Sequence, residues 1–243
     1  MTRSTPRAAS AKTPSWLCVH IGRGHTNGNR AQPSSAPDGG AQRSNTALPR
    51  RRQLTQQPIP RGARVLVVYF SRAGVNNNGS RDNQVFLSEG RTATLGRAIA
   101  DQLGADSFEI VPAEPYSDDY YATVQRNMDE ERADARPAIA NIGDLPSIED
   151  YDVIILGAPV WNSQAPMIMR TFLESYDFTG KVILPFTTHT MSGLGRVPQD
   201  YADEAPGALV SNAGLAVVET EAPTEASRAR ARARARLHGF DLL

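Results

Sequence analysis

The sequence predicts an α/β fold, a doubly wound five-stranded parallel sheet behind a disordered N-terminal arm. Three observations carry this expectation. Short apolar runs without polar alternation recur along the chain, as in Val65-Leu66-Val67-Val68-Tyr69-Phe70 and Val153-Ile154-Ile155-Leu156, and such runs fit central strands covered on both faces. Helix-periodic segments separate them, which implies right-handed crossovers. Composition changes abruptly near residue 62, where a polar, Pro- and Ser-rich stretch gives way to the first apolar run.

Residues 1–62 carry few aliphatic or aromatic side chains in any periodic order, so they bury too little surface to offset the entropy of ordering and are expected to be disordered. Pro58-Ile59-Pro60-Arg61-Gly62 ends this arm. The domain proper is expected over 63–218, opening with the strand at 65–70. Residues 92–103 place Leu95, Ile99 and Leu103 at spacing four, with Gly104 as the stop, and predict a helix. Phe108-Glu109-Ile110-Val111 reads as the second strand, ended by Pro112 and Pro115. Residues 119–135 predict a polar surface helix with a thin apolar stripe of Tyr120 or Tyr121, Val124 and Met128. The third strand at 153–156 is followed by a helix over 168–176, the fourth strand Val182-Ile183-Leu184-Pro185-Phe186, and the fifth, Leu215-Ala216-Val217-Val218. Residues 219–243 are expected to form a C-terminal helix and tail, whose alternating Arg and Ala from 228 to 236 scatters charge around the helix and reads as a solvated face.

A net charge of zero conceals segregation. Residues 1–62 hold ten Lys or Arg against Asp38 alone, residues 63–218 hold eleven against twenty-one Asp or Glu, and the tail is nearly neutral. An acidic core disfavours nucleic acid and suits a partner protein with a basic docking face. Cys18 is the only cysteine and lies in the arm, so no disulfide or thiolate metal cluster forms within one chain and redox chemistry needs a bound cofactor. No apolar run approaches the roughly 18 residues of a membrane span. The run of three arginines at 50–52 lacks the apolar segment of an export signal. The expected location is cytoplasmic.

In a doubly wound sheet, ligands bind at the carboxyl ends of the strands, which directs attention to three loops. The first runs from Ser71-Arg72-Ala73-Gly74 through an Asn- and Gly-rich stretch to Gly90-Arg91-Thr92, where backbone N–H groups, the helix dipole and two hydroxyls would meet a phosphate; a plain capped turn is the alternative. The second, Gly157-Ala158-Pro159-Val160-Trp161-Asn162-Ser163-Gln164-Ala165-Pro166, sets an indole between two prolines, either as a platform for a flat ring or as core. The third, Thr187-Thr188-His189-Thr190-Met191-Ser192-Gly193-Leu194-Gly195, offers hydroxyls and close backbone approach to the polar edge of a heterocycle. Its lone histidine reads as solvent-exposed rather than catalytic.

Taken together, residues 65–74, 108–120, 151–161, 166–181 and 185–195 resemble the flavodoxin family. The segment Pro166-Met167-Ile168-Met169-Arg170-Thr171-Phe172-Leu173-Glu174-Ser175-Tyr176-Asp177-Phe178-Thr179-Gly180-Lys181 carries the likeness most specifically. The resemblance implies a flavodoxin-like fold and noncovalent FMN. It places the phosphate against Ser71, Arg72, Ala73, then Gly74 or Gly90, Arg91 and Thr92, with the isoalloxazine beside Pro159, Val160, Trp161 and Asn162 and its edge on Thr188, His189, Ser192, Gly193 and Gly195. Two departures stand out. An insertion separates Gly74 from Gly90, and Arg91 stands where the family pattern has Asn. Asn162 likewise replaces a second aromatic common among relatives. The expected function is an FMN-binding electron-transfer flavoprotein whose midpoint lies below that of free FMN. One alternative is an FMN-dependent oxidoreductase passing hydride from NAD(P)H to a quinone, and another is a flavin-free scaffold of the same fold.

Overall fold

In the computed structural model, which describes residues 62–80 and 83–219, the first apolar run forms β1 (Val65–Phe70). A hairpin follows, β2 (Gly74–Ser80) and β3 (Asn83–Leu87), and then α1 (Arg91–Leu103), β4 (Asp106–Ile110) and α2 (Tyr120–Arg132). The chain continues through β5 (Val153–Pro159), α3 (Met167–Glu174), β6 (Val182–His189), α4 (Val197–Glu204), β7 (Leu209–Val210) and β8 (Leu215–Val218). Apart from Gly62 and Glu219, the expected arm over 1–62 and the expected C-terminal helix and tail over 219–243 lie outside the described residues.

The main sheet has the order β4-β1-β5-β6, with β7 and β8 both beside β6 and every pairing parallel. β1 lies between β4 and β5, which explains its unbroken apolar sequence. Leu66, Val68 and Phe70 enter one core with Ile168 and Phe172 of α3 and Tyr201 of α4, while Val67 and Tyr69 enter the other with Leu95 and Ile99 of α1. Gly96 lets α1 approach, since a Cβ there would overlap the Tyr69 ring. Gly104 closes the helix in the left-handed region, φ +59°.

The fifth position of the sheet is an interrupted edge. β7 pairs with 182–183 and β8 with 186–189, leaving 211–214 between them. Lys181 and Ile183 offer their carbonyls to Leu209 and Ser211. By alternation Pro185 faces the same side, and it has no N–H to offer.

The insertion between β1 and α1 is ordered as the β2–β3 hairpin rather than as an open loop. It is held mostly by polar contacts. Val75 N–H donates to Asp118 O at 2.9 Å, and the Arg72 guanidinium donates to Val75 O at 2.8 Å and to Ser117 O from two of its nitrogens. The helix at α2 also turns a different face inward from the expected apolar stripe. Tyr121 and Val124 are exposed, whereas Thr123, Asn127 and Glu130 are buried. Hydrogen bonding sets this rotation: Thr123 Oγ1 donates to Ser117 O at 2.9 Å, and Tyr116 Oη donates to Glu130 Oε2 at 2.8 Å. The Arg126 guanidinium lies 4.0 Å from the Tyr116 ring centre, adding a cation–π contact.

Candidate functional site

Strand order reverses around β1, so a crevice opens at the carboxyl ends of β1 and β5. Two adjoining cavities occupy that rim. A small one is lined by Arg91, Thr92, Pro159 and Trp161 among others. A cleft of about 330 Å³ runs from the hairpin and α2 to the second and third loops, at the lower end of the range of small-molecule sites. Arg72, Asn76, Trp161 and Glu219 line both.

The first loop closes tightly on the start of α1. Gly90 precedes the helix without a side-chain cap, and the Ser71 hydroxyl substitutes by accepting the Ala93 N–H at 3.0 Å. A Cβ on Gly90 would collide with that hydroxyl and with the Arg72 carbonyl. Thr92 Oγ1 lies 2.8 Å from Thr188 Oγ1, joining α1 to β6. The Thr188 hydroxyl donates to Glu219 Oε1 at 3.2 Å, so its single proton is used and Thr92 is the donor to Thr188.

Arg91 gives Nη2 to Asn78 Oδ1 at 3.0 Å. Its Nε and Nη1 are buried and have no hydrogen-bond partner. Burial lowers the Arg91 pKa and the charge of Glu219 opposes that shift; burial raises the Glu219 carboxyl, and Arg91 and Thr188 oppose it. This cation and carboxylate line the same small cavity, together with Thr92.

The second loop is a tight turn. Trp161 and Gln164 exchange backbone hydrogen bonds at 3.0 and 2.9 Å, with Asn162 and Ser163 at φ +47° and +66°. Trp161 is partly buried and meets Phe70 and Tyr116 edge-on at 5.6 and 5.1 Å. It is thus both core and cleft wall. The third loop is tied to the second: Val160 N–H donates to Thr188 O at 2.9 Å and Arg196 N–H to Ser163 O at 2.8 Å. Gly195, at φ +54°, passes so close that a Cβ would sit 2.5 Å from Ser163 O.

Among the residues expected to bind, Arg72, Arg91, Thr92, Pro159, Val160, Trp161, Asn162 and Ser192 line the cavities. Ser71, Gly90 and Thr188 shape the rim through the contacts above. Ala73, His189, Gly193 and Gly195 line neither cavity. His189 belongs to the end of β6 and is 8% exposed, not the solvent-facing loop residue its sequence setting suggests. The cleft also gains residues that sequence reasoning missed: Asn76 and Asn77 of the hairpin, Tyr120, Asn127 and Met128 of α2, and Glu219 after β8. Only the hairpin pair carried a signal, lying in the Asn-rich insertion. Among the described residues no cluster is arranged to hold a metal, and no helix is long and apolar enough to cross a membrane.

A parallel sheet in this order, with three loops gathered at one rim around an indole, is the architecture of a flavodoxin-like protein. Residues 64–225 match the flavodoxin family, and the chain belongs to it. Among solved structures, a candidate flavoprotein of Bacteroides uniformis ATCC 8492 is 27% identical with a TM-score of 0.55, covering 72% of this chain and 99% of its own. A candidate flavoprotein of Bacteroides eggerthii DSM 20697 is 25% identical, TM-score 0.48, covering 72% and 97%. A flavoprotein of Lactobacillus acidophilus NCFM in complex with FMN is 20% identical, TM-score 0.47, covering 63% and 92%. No curated protein matches the chain.

Proposed function

We propose that this protein binds FMN noncovalently at the rim and serves as an electron carrier. The observation that carries the reading is the Arg91 guanidinium, whose Nε and Nη1 are buried without an acceptor beside Thr92. A buried donor left unmet costs about 1–3 kcal/mol. A phosphate at the start of α1 would supply acceptors where the helix dipole also favours an anion. The donor set fits that group. Arg91 would hold the phosphate at the start of α1, and Trp161, Val160 and Ser192 would hold the ring.

When bound, the flavin supplies the electron chemistry. The chain's own residues bind and orient it: Phe70 and Tyr116 fix the indole of Trp161 edge-on, so the cleft wall is formed before the ligand arrives. Asp118 and Asp119 stand exposed at the entrance to α2, and the acidic excess of residues 63–218 suits a redox partner with a basic docking face. The test is direct. Protein mixed with FMN and freed of excess is expected to keep the visible flavin bands at one flavin per chain, and a colourless preparation refutes the reading.

A second reading, hydride transfer from NAD(P)H to a quinone-type acceptor, is favoured by the α2 wall, which extends the cleft beyond the three loops. NADPH oxidation with a quinone separates the two. A carrier shows negligible turnover without a partner reductase.

A further inference from the structure

The part of the cleft between the hairpin and α2 has a hydrogen-bonding pattern of its own. Asn127 is 5% exposed. Its Nδ2 donates to Glu131 Oε1 at 2.7 Å, while its Oδ1 is buried with no donor. The other oxygen of Glu131 accepts Asn162 Nδ2, also at 2.7 Å. One carboxylate therefore holds both amides by their nitrogens, and a flip of Asn127 would replace a hydrogen bond by oxygen against oxygen. The carbonyl end is thereby assigned. From the hairpin, Asn77 presents a second buried Oδ1 without a partner, its Nδ2 lying 3.5 Å from the Tyr120 hydroxyl. Val124, Met128 and Trp161 supply the apolar wall around these two acceptors.

Unmet acceptors beside an apolar wall specify chemistry. A carboxylate or phosphate would meet oxygen with oxygen, and an aliphatic group would leave the carbonyls unpaired. An N–H or O–H group on a flat molecule would satisfy them. We propose that this half of the cleft, centred on Asn127 with Asn77 as its second arm, is a subsite that reads hydrogen-bond donors on the bound molecule. It rests on the flavin reading above. Two sources carry the required chemistry: the ring imide and side-chain hydroxyls of the flavin, and the carboxamide of a nicotinamide dinucleotide.

The experiment uses the full chain and the variants Asn127→Leu and Asn77→Ala, with folding checked by circular dichroism. FMN affinity is read from quenching of flavin fluorescence. NADPH and its 3-acetylpyridine analogue, which has a methyl group in place of the carboxamide nitrogen, are compared by KM in a quinone assay. A loss of about tenfold or more in FMN affinity in either variant supports the subsite and assigns the donor to the cofactor. Unchanged FMN affinity with a raised KM for NADPH, and lost discrimination against the analogue, supports it with the donor on the second substrate. If Asn127→Leu does not fold, Asn77→Ala decides by the same readings. Folded variants with unchanged FMN affinity overturn the subsite alone, whether KM is also unchanged or the wild type shows no NADPH turnover, whereas wild-type protein that takes up no FMN overturns the flavin reading together with it.

Discussion

Replacing Arg91 by methionine separates its role toward a ligand from its role in the fold. The substitution keeps an apolar stem and removes the guanidinium. Two of its nitrogens, Nε and Nη1, have no acceptor in the structure, and each hydrogen bond from such a group to a phosphate contributes about 1.5–3 kcal/mol. Because Arg91 is half-buried, the lower figure applies, and two bonds give about 3 kcal/mol, a rise of about 100-fold in the Kd for FMN. The free protein responds differently. It loses the bond to Asn78 Oδ1 at 3.0 Å, worth about 1 kcal/mol, and is relieved of two unmet donors, worth about 2 kcal/mol at the lower figure, so its Tm is expected to rise by about 3 °C rather than fall. Fluorescence titration with FMN and riboflavin side by side is the assay. Riboflavin has no phosphate, so its Kd is expected to stay within about threefold. A variant that weakens both flavins equally, or neither, refutes the assignment.

Glu219→Gln is expected to tighten FMN binding by about fivefold, since the carboxylate that accepts from Thr188 and lines the same small cavity as Arg91 competes with a phosphate for the same groups; an unchanged or weaker Kd counts against this. Gly90→Ala forces a Cβ into the Ser71 hydroxyl and the Arg72 carbonyl, and overpacking of about 1–3 kcal/mol lowers the Tm by about 3–9 °C. A Tm equal to wild type by calorimetry would show that the loop is looser than described. Asp200 is 2% exposed, and burial raises its carboxyl against the pull of the Ala165 N–H, Arg170 and Arg196. The folded state therefore holds this proton more tightly than the unfolded chain, and the associated stability is lost as pH rises from the ordinary carboxylate range through the raised value. Urea midpoints across that window are expected to fall less steeply in Asp200→Asn than in wild type, and parallel profiles would remove Asp200 as the cause.

Much of the scaffold was legible because its signals are local or periodic. β1 and β5 announce themselves as unbroken apolar runs since both faces of a central strand are covered. The spacing of Leu95, Ile99 and Leu103 marks α1, and Gly104 marks its end. The turn around Trp161 was visible as an indole between two prolines. The hairpin was not: Asn76, Asn77 and Gly79 have weak strand preference, and what orders the segment is Arg72 bonding to backbone some 45 residues away at Ser117. The buried face of α2 was hidden for a similar reason. Tyr121 and Val124 look like an inward stripe, yet Thr123 and Glu130 find partners at Ser117 and Tyr116, and those two bonds outweigh a thin apolar stripe.

The order of residues alone determined the alternation of strands and helices, the sheet they build, and which three loops gather at its rim, because periodicity and turn chemistry act over neighbouring positions. Packing between distant segments decided the rest: that Asn77 and Asn127 line one cleft, that Glu219 and Arg91 line one small cavity, and that His189 is buried at a strand end. Such meetings depend on where unpaired donors and acceptors find partners once the chain has closed, and no spacing along the sequence encodes that.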